Sequence, residues 1–204
     1  LKLASSEEIA TLAGSGAVNL QGNVLTLNGS GDSVYSGVMS GTSGRLVKSG
    51  TGVLTLSGTN TFTGGSSVSA GVVLVGNDAA FGTGTVTFSG GKISSDGATA
   101  RVLANALGLS GSLALGDVTK TGELTLSGAA ALSAGTTLDV ASVVTMSGVV
   151  SGSGSLTKAG SAELTLSGAN TFSGATGVDA GTLTLSGGSA LADSMAVTVN
   201  ASGT

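Results

Sequence analysis

Leu46–Val75 reads LVKSGTGVLTLSGTNTFTGGSSVSAGVVLV, and Leu156–Leu185 reads LTKAGSAELTLSGANTFSGATGVDAGTLTL. The offset between them is constant, so that Leu46 returns as Leu156 and Phe62 as Phe172. Fifteen of the 30 aligned positions are identical, among them Lys48, Leu54, Leu56, Gly58, Asn60 and Phe62. A shorter copy, VTKTGELTLSG, lies between them at Val118–Gly128. Repetition in units of tens of residues marks a solenoid, a propeller or an array, in which each unit buries its apolar face against its neighbours.

Within the unit, Leu54 and Leu56 alternate with Val53, Thr55 and Ser57. Period two puts the leucines on one face of a strand and the others on the opposite face. In the second copy Leu164 and Leu166 keep their places while Glu163 replaces Val53, so that parity faces water. Val73 and Val75 become Leu183 and Leu185, whereas Val72 and Leu74 become Thr182 and Thr184. Each short strand ends at Gly or Asn, residues that tolerate the backbone of a turn.

Only 9% of the 204 residues are charged and 2% aromatic, while 40% are hydrophobic and Gly numbers 37. Disorder goes with low hydrophobicity and high net charge, which this alternation contradicts. A narrow core of stacked Leu, Val, Ile and Ala needs no large aromatic anchors. The net charge of −4 argues against nucleic acid, which requires a basic stripe, and against an anionic membrane surface. No apolar run approaches the roughly 20 residues of a membrane helix. Without His or Cys the chain cannot build a Ser-His-Asp triad, a Cys-His pair or a common zinc site. The chain opens at Leu1 without Met or a basic leader, which reads as a mature product or an excised fragment.

Along the chain, residues 1–17 read as a first rung, with a one-turn helix after Ser5 as the alternative. Gly29–Asp32, GSGD, reads as a plain turn, since one Asp cannot supply the six or more oxygens that calcium takes. The lead-in SGVMSGTSG at Ser36–Gly44 recurs as SGVVSGSG at Ser147–Gly154, so the repeat units run over about 35–76, 116–140 (degenerate) and 146–186. Asn60 and Asn170 share one repeat position, and Phe62 and Phe172 another. Asn at a turn is expected to ladder between coils through side-chain amides, and Phe to stack. Lys48, Lys120 and Lys158 share a position too, and are expected as surface lysines that blunt a sheet edge or aid solubility. Lys92–Gly116 departs from the repeat. Its segment TARVLANALGL, Thr99–Leu109, has near-helical spacing and reads as a short helix or a loop excursion. Breaks in a repeat are where loops carry function.

Short strands at every eight to fifteen residues, under a long repeat, predict an all-β chain. The expected fold is a right-handed parallel β-helix of eight to nine coils, with about 20–25 residues per coil. A β-sandwich is the alternative; it accounts for the strands but not for the repeat. Residues 1–204 read as a single β-helix fragment of a longer protein. Leu54, Leu56, Leu164, Leu166, Asn60, Asn170, Phe62 and Phe172 are its structural repeat positions, with no catalytic, cofactor-binding or metal-binding residue singled out.

The pattern GxGxLTLSGxNTFTGGxxVxAGxLxVG, with the lead-in SGVxSGxGxLxKxG, resembles the passenger-associated transport repeat of bacterial autotransporters. Gly50–Gly76, Gly160–Leu185 and, in part, Lys120–Gly128 carry it. The resemblance implies a β-helical passenger, exported through the outer membrane by a C-terminal β-barrel of the parent chain and displayed or shed outside the cell. It carries no catalytic residue. The implied function is a non-catalytic stalk or scaffold supporting adhesion, aggregation and secretion, with a host surface or a second copy as partner and no cofactor. The alternatives are a polysaccharide-active β-helix enzyme built on paired carboxylates and a self-association module.

Overall fold

A computed structural model describes residues 1–187, 190–191 and 196–204. Of the span 1–204 expected as one β-helix, 188–189 and 192–195 lie outside the described residues. Strands pair in parallel from turn to turn, as a β-solenoid of about ten turns. At the roughly 4.8 Å spacing of hydrogen-bonded strands the rod is about 48 Å long. Three flat faces make each turn.

On the first face, Leu25, Leu46, Ser66, Val86, Leu107, Ala130 and Val150 lie one above another. On the second, Leu54, Val73, Ile93, Leu115 and Val140 do so. On the third, Leu103, Leu126, Met146 and Leu166 form the column. All of these side chains are buried. Burying one Leu or Val contributes about 1.5–3 kcal/mol, so each turn supports its neighbours through its own columns. The outward parity is polar as the alternation requires: Thr125, Thr145, Thr165 and Thr184 stack on the outside of the third face. Glu163 points out there and accepts hydrogen bonds from Thr165 and Thr184 at 3.4 and 2.5 Å.

The two long copies do not sit on the same side of the rod. From Leu46 the first-face column reaches Val150 in five steps. Leu156 lies six residues further on, round a corner, where Leu156–Ala159 stacks on Thr136–Asp139 in the second-face column. The offset between the copies is thus five turns plus one face. Leu54 and Leu56 line the second face, whereas Leu164 and Leu166 line the third. Phe62 follows onto the third face and Phe172 onto the first, where Thr171 and Ser173 donate to the carbonyls of Val150 and Gly152. The short copy keeps register with the second long one: Leu124, Val144 and Leu164 stack in successive turns.

One expectation changes and two alternatives fall away. TARVLANALGL is neither helix nor excursion. Arg101–Leu103 and Leu107–Leu115 are strands, and Leu103, Leu107 and Leu109 face inward at period two. No helix occurs among the described residues. Residues 7–9 form a strand paired with Leu25–Leu27, without a capping box. The sandwich is excluded, because every named strand pairing is parallel. The turns number about ten, roughly consistent with the eight to nine expected; the usual step, as from Leu25 to Leu46 and from Leu46 to Ser66, is near the short end of the expected range.

Candidate functional site

The long copies share a cross-turn device. Asn60 is 1% exposed. Its Oδ1 accepts from the Met39 N–H of the turn below at 2.7 Å, and its Nδ2 donates to the Ala80 carbonyl of the turn above at 2.6 Å. Asn170 repeats this with the Val150 N–H at 2.7 Å and the Ala190 carbonyl at 2.6 Å. Each Asn therefore clamps three successive turns. The bonds run from side chain to backbone, not from amide to amide, so Asn60 and Asn170 do not ladder with each other. An inward Asn at this corner meets backbone groups that the bend has taken out of the strand ladder, and a buried unpaired backbone group is costly.

Phe62 and Phe172, two positions further on, are fully buried. They lie on different faces and do not stack on each other. The ring contact in the core joins Phe81 to Phe88, edge-on with centroids 6.2 Å apart.

Lys48 and Lys158 are buried, not surface residues. Period two decides it, since Leu46 and Leu156 point inward and the residue two further on must follow. The Lys158 Nζ donates to the carbonyls of Ala159, Gly160 and Ala180 at 2.8, 2.7 and 2.9 Å, joining its own corner to the one above. The Lys48 Nζ donates to the Gly50 carbonyl at the equivalent corner. Lys120 breaks the pattern. It lies in the tight turn Asp117–Lys120, half-buried, two residues nearer to its strand than the other lysines are to theirs.

Burial lowers the pKa of both buried amines, and the carboxylates of Asp32 near Lys48 and Asp139 near Lys158 counter it in part. A depressed amine binds fewer protons in the folded chain than in the unfolded one, so stability rises with pH up to the ordinary amine value of 10.5. Tyr35 acts in the opposite sense. Burial raises its pKa above the ordinary 10.0, so its contribution is lost as pH climbs past that value. Urea midpoints are expected to climb as pH approaches 10 from below and then to fall. Lys48→Met with Lys158→Met should remove the rising limb; a flat profile in the parent chain would contradict these assignments.

A family model described as the passenger-associated-transport-repeat matches residues 46–75 and 156–185. The chain carries two passenger-associated transport repeats. No curated protein and no solved structure matches it. Each passenger repeat spans one Asn clamp and one corner lysine, at Asn60 and Lys48 and at Asn170 and Lys158. Repeat and solenoid together fit an autotransporter passenger domain. The passenger family implies type V secretion to the cell surface and a C-terminal translocator in the parent chain.

No group of three or more His, Cys, Asp or Glu side chains that could hold a metal occurs among the described residues. Asp32, of the GSGD turn, accepts the Val53 N–H at 2.8 Å, and Asp117 pairs with Lys92. That pairing and the bonds from Thr119 hold the Asp117 carboxyl well below the usual carboxylate range. Sequence reading missed the inward lysines; the parity of Leu46 and Leu156 was the available signal.

Proposed function

We propose that residues 1–204 form one non-catalytic β-helical rod within a longer passenger, which holds a more distal part of that passenger away from the cell and supports adhesion or aggregation. The observation that carries this reading is the unbroken turn-to-turn stacking under two passenger repeats, each clamping three turns. The Asn, Phe and Leu repeat positions then act in the scaffold and not on a ligand. Stacking each new turn on the last also gives a chain emerging from a pore a reason to keep moving outward, because every added turn buries apolar columns.

The test replaces the rod in its parent protein by a Gly/Ser linker of equal residue number, with an epitope at the distal end. Surface exposure of the epitope on intact cells is expected to fall, because the linker buries no apolar columns, and attachment or cell–cell aggregation per displayed epitope is expected to fall several-fold. Unchanged attachment would defeat the scaffold reading. Release of sugar by the purified chain from an acidic polysaccharide, lost when a single Asp is neutralised, would favour the enzyme instead.

A further inference from the structure

A cleft of about 480 Å³ opens where the repeat is most irregular, between the turn at residues 77–83 and the stretch Val102–Asn105. It is open to solvent, and its size falls within the roughly 300–1,000 Å³ of small-ligand sites. Two residues with acceptor oxygens, Asp78 and Asn105, are among those that line it. Asn105 is 6% exposed; its Nδ2 donates to the carbonyls of Gly82 and Gly84 at 3.1 and 2.8 Å. Its Oδ1 accepts no hydrogen bond from any described residue. This reverses Asn60 and Asn170, whose Oδ1 atoms are occupied by the turn below. Asp78 is exposed, and its Oδ1 accepts the Val102 N–H at 3.1 Å, leaving its Oδ2 without a partner among the described residues. The nearby Arg101 is already engaged by Asp96. Ala79, Val102 and Ala104 supply an apolar wall, and Thr83 a hydroxyl.

We propose that this cleft binds a neutral sugar unit of a polysaccharide. A lone carboxylate and an unfilled amide oxygen call for a ligand that donates hydrogen bonds, and a bond to the carboxylate is the stronger kind. The carboxylate repels anionic chains. The apolar wall suits the C–H face of a pyranose, and the open shape lets a polymer continue past the site. With no aromatic platform, the dissociation constant is expected on the order of 1 mM. The site does not depend on the stalk reading, and its failure would leave that reading intact.

The test is an amide NMR titration of the 204-residue chain with cellotetraose, maltotetraose and mannotetraose, with tetragalacturonate as the anionic probe and spermidine as the cationic one. At least one neutral probe is expected to shift amides confined to residues 78–83 and 102–105, and tetragalacturonate to shift none. Asp78→Asn keeps an oxygen for the Val102 N–H but turns the free acceptor into a donor; it should weaken binding at least 10-fold. Ala104→Tyr fills the cleft from an exposed position and should abolish binding. Both variants should keep the parent spectrum elsewhere. The proposal is overturned if no neutral probe shifts these amides, if only spermidine does, or if both variants bind like the parent.

Discussion

Gly148→Ala is expected to destabilise the rod by more than about 3 kcal/mol, the upper end of what overpacking usually costs. A Cβ on Gly148 would lie 2.0 Å from the Gly128 carbonyl oxygen and 2.5 Å from its carbon. The obstacle is backbone, so no rotamer change relieves it. Above, a Cβ on Gly168 would meet the Gly148 oxygen at 2.3 Å, and below, one on Gly128 would meet the Asn105 oxygen at 1.9 Å. These glycines follow the Ser of LTLSG and its counterparts, where the chain leaves the third face and passes closely over the turn beneath. Gly58, after the same Ser in the first copy, meets the Gly37 oxygen at 1.9 Å and should respond alike. Gly108 is the control. Its added Cβ would touch only the Thr87 side chain, at 3.5 Å. Gly108→Ala should be neutral or stabilise by up to about 1 kcal/mol through the unfolded chain. Urea midpoints at constant slope measure all three. Equal effects at positions 108 and 148 would refute the close-approach explanation.

Asn60→Ala is expected to cost about 2–6 kcal/mol, because it leaves two buried backbone groups unpaired at about 1–3 kcal/mol each. Those groups are the Met39 N–H and the Ala80 carbonyl. Asn170→Ala should cost a similar amount through Val150 and Ala190. The two clamps are about five turns apart, so the double variant should show the sum of the single effects. Hydrogen exchange gives the local readout. The Met39 amide should lose protection in Asn60→Ala, while the Val150 amide keeps its own. A loss of protection spread evenly over both would show that the clamp is not local.

Much of this was legible in the alternation of Leu54, Thr55 and Leu56 and in its return at Leu164. Period two fixes which side chains point in, and a long repeat with no paired hairpin code implies parallel stacking. The same parity, carried from Leu46 to Lys48, already put the lysine inside. The expectation of a surface residue came from the charge of lysine, which overrode the pattern. In the solenoid the corner carbonyls supply the partners that make burial tolerable. TARVLANALGL misled because Val102, Ala106 and Leu109 fit a helical stripe, while Leu103, Leu107 and Leu109 fit a strand equally well. The ladders on either side decide between them, and a local window does not contain those ladders. The cleft was signalled only as an irregular region. Its acceptors, Asp78 and Asn105, come from separate turns, with no motif joining them.

The displacement of the second copy by one face makes the repeat a screw operation with a pitch of five and a third turns. Three such steps return a copy to its starting azimuth. Copies continued at this spacing would climb the rod as a spiral staircase, never as a single stripe, so a flat partner could engage at most every third one. The quantum of insertion or deletion is then a side of the triangle and not a whole revolution. Adding one side moves every later residue to a new azimuth while keeping each glycine at a corner and each leucine inside. A lineage of such rods can therefore change which direction its surface features point without altering the packing of any single turn.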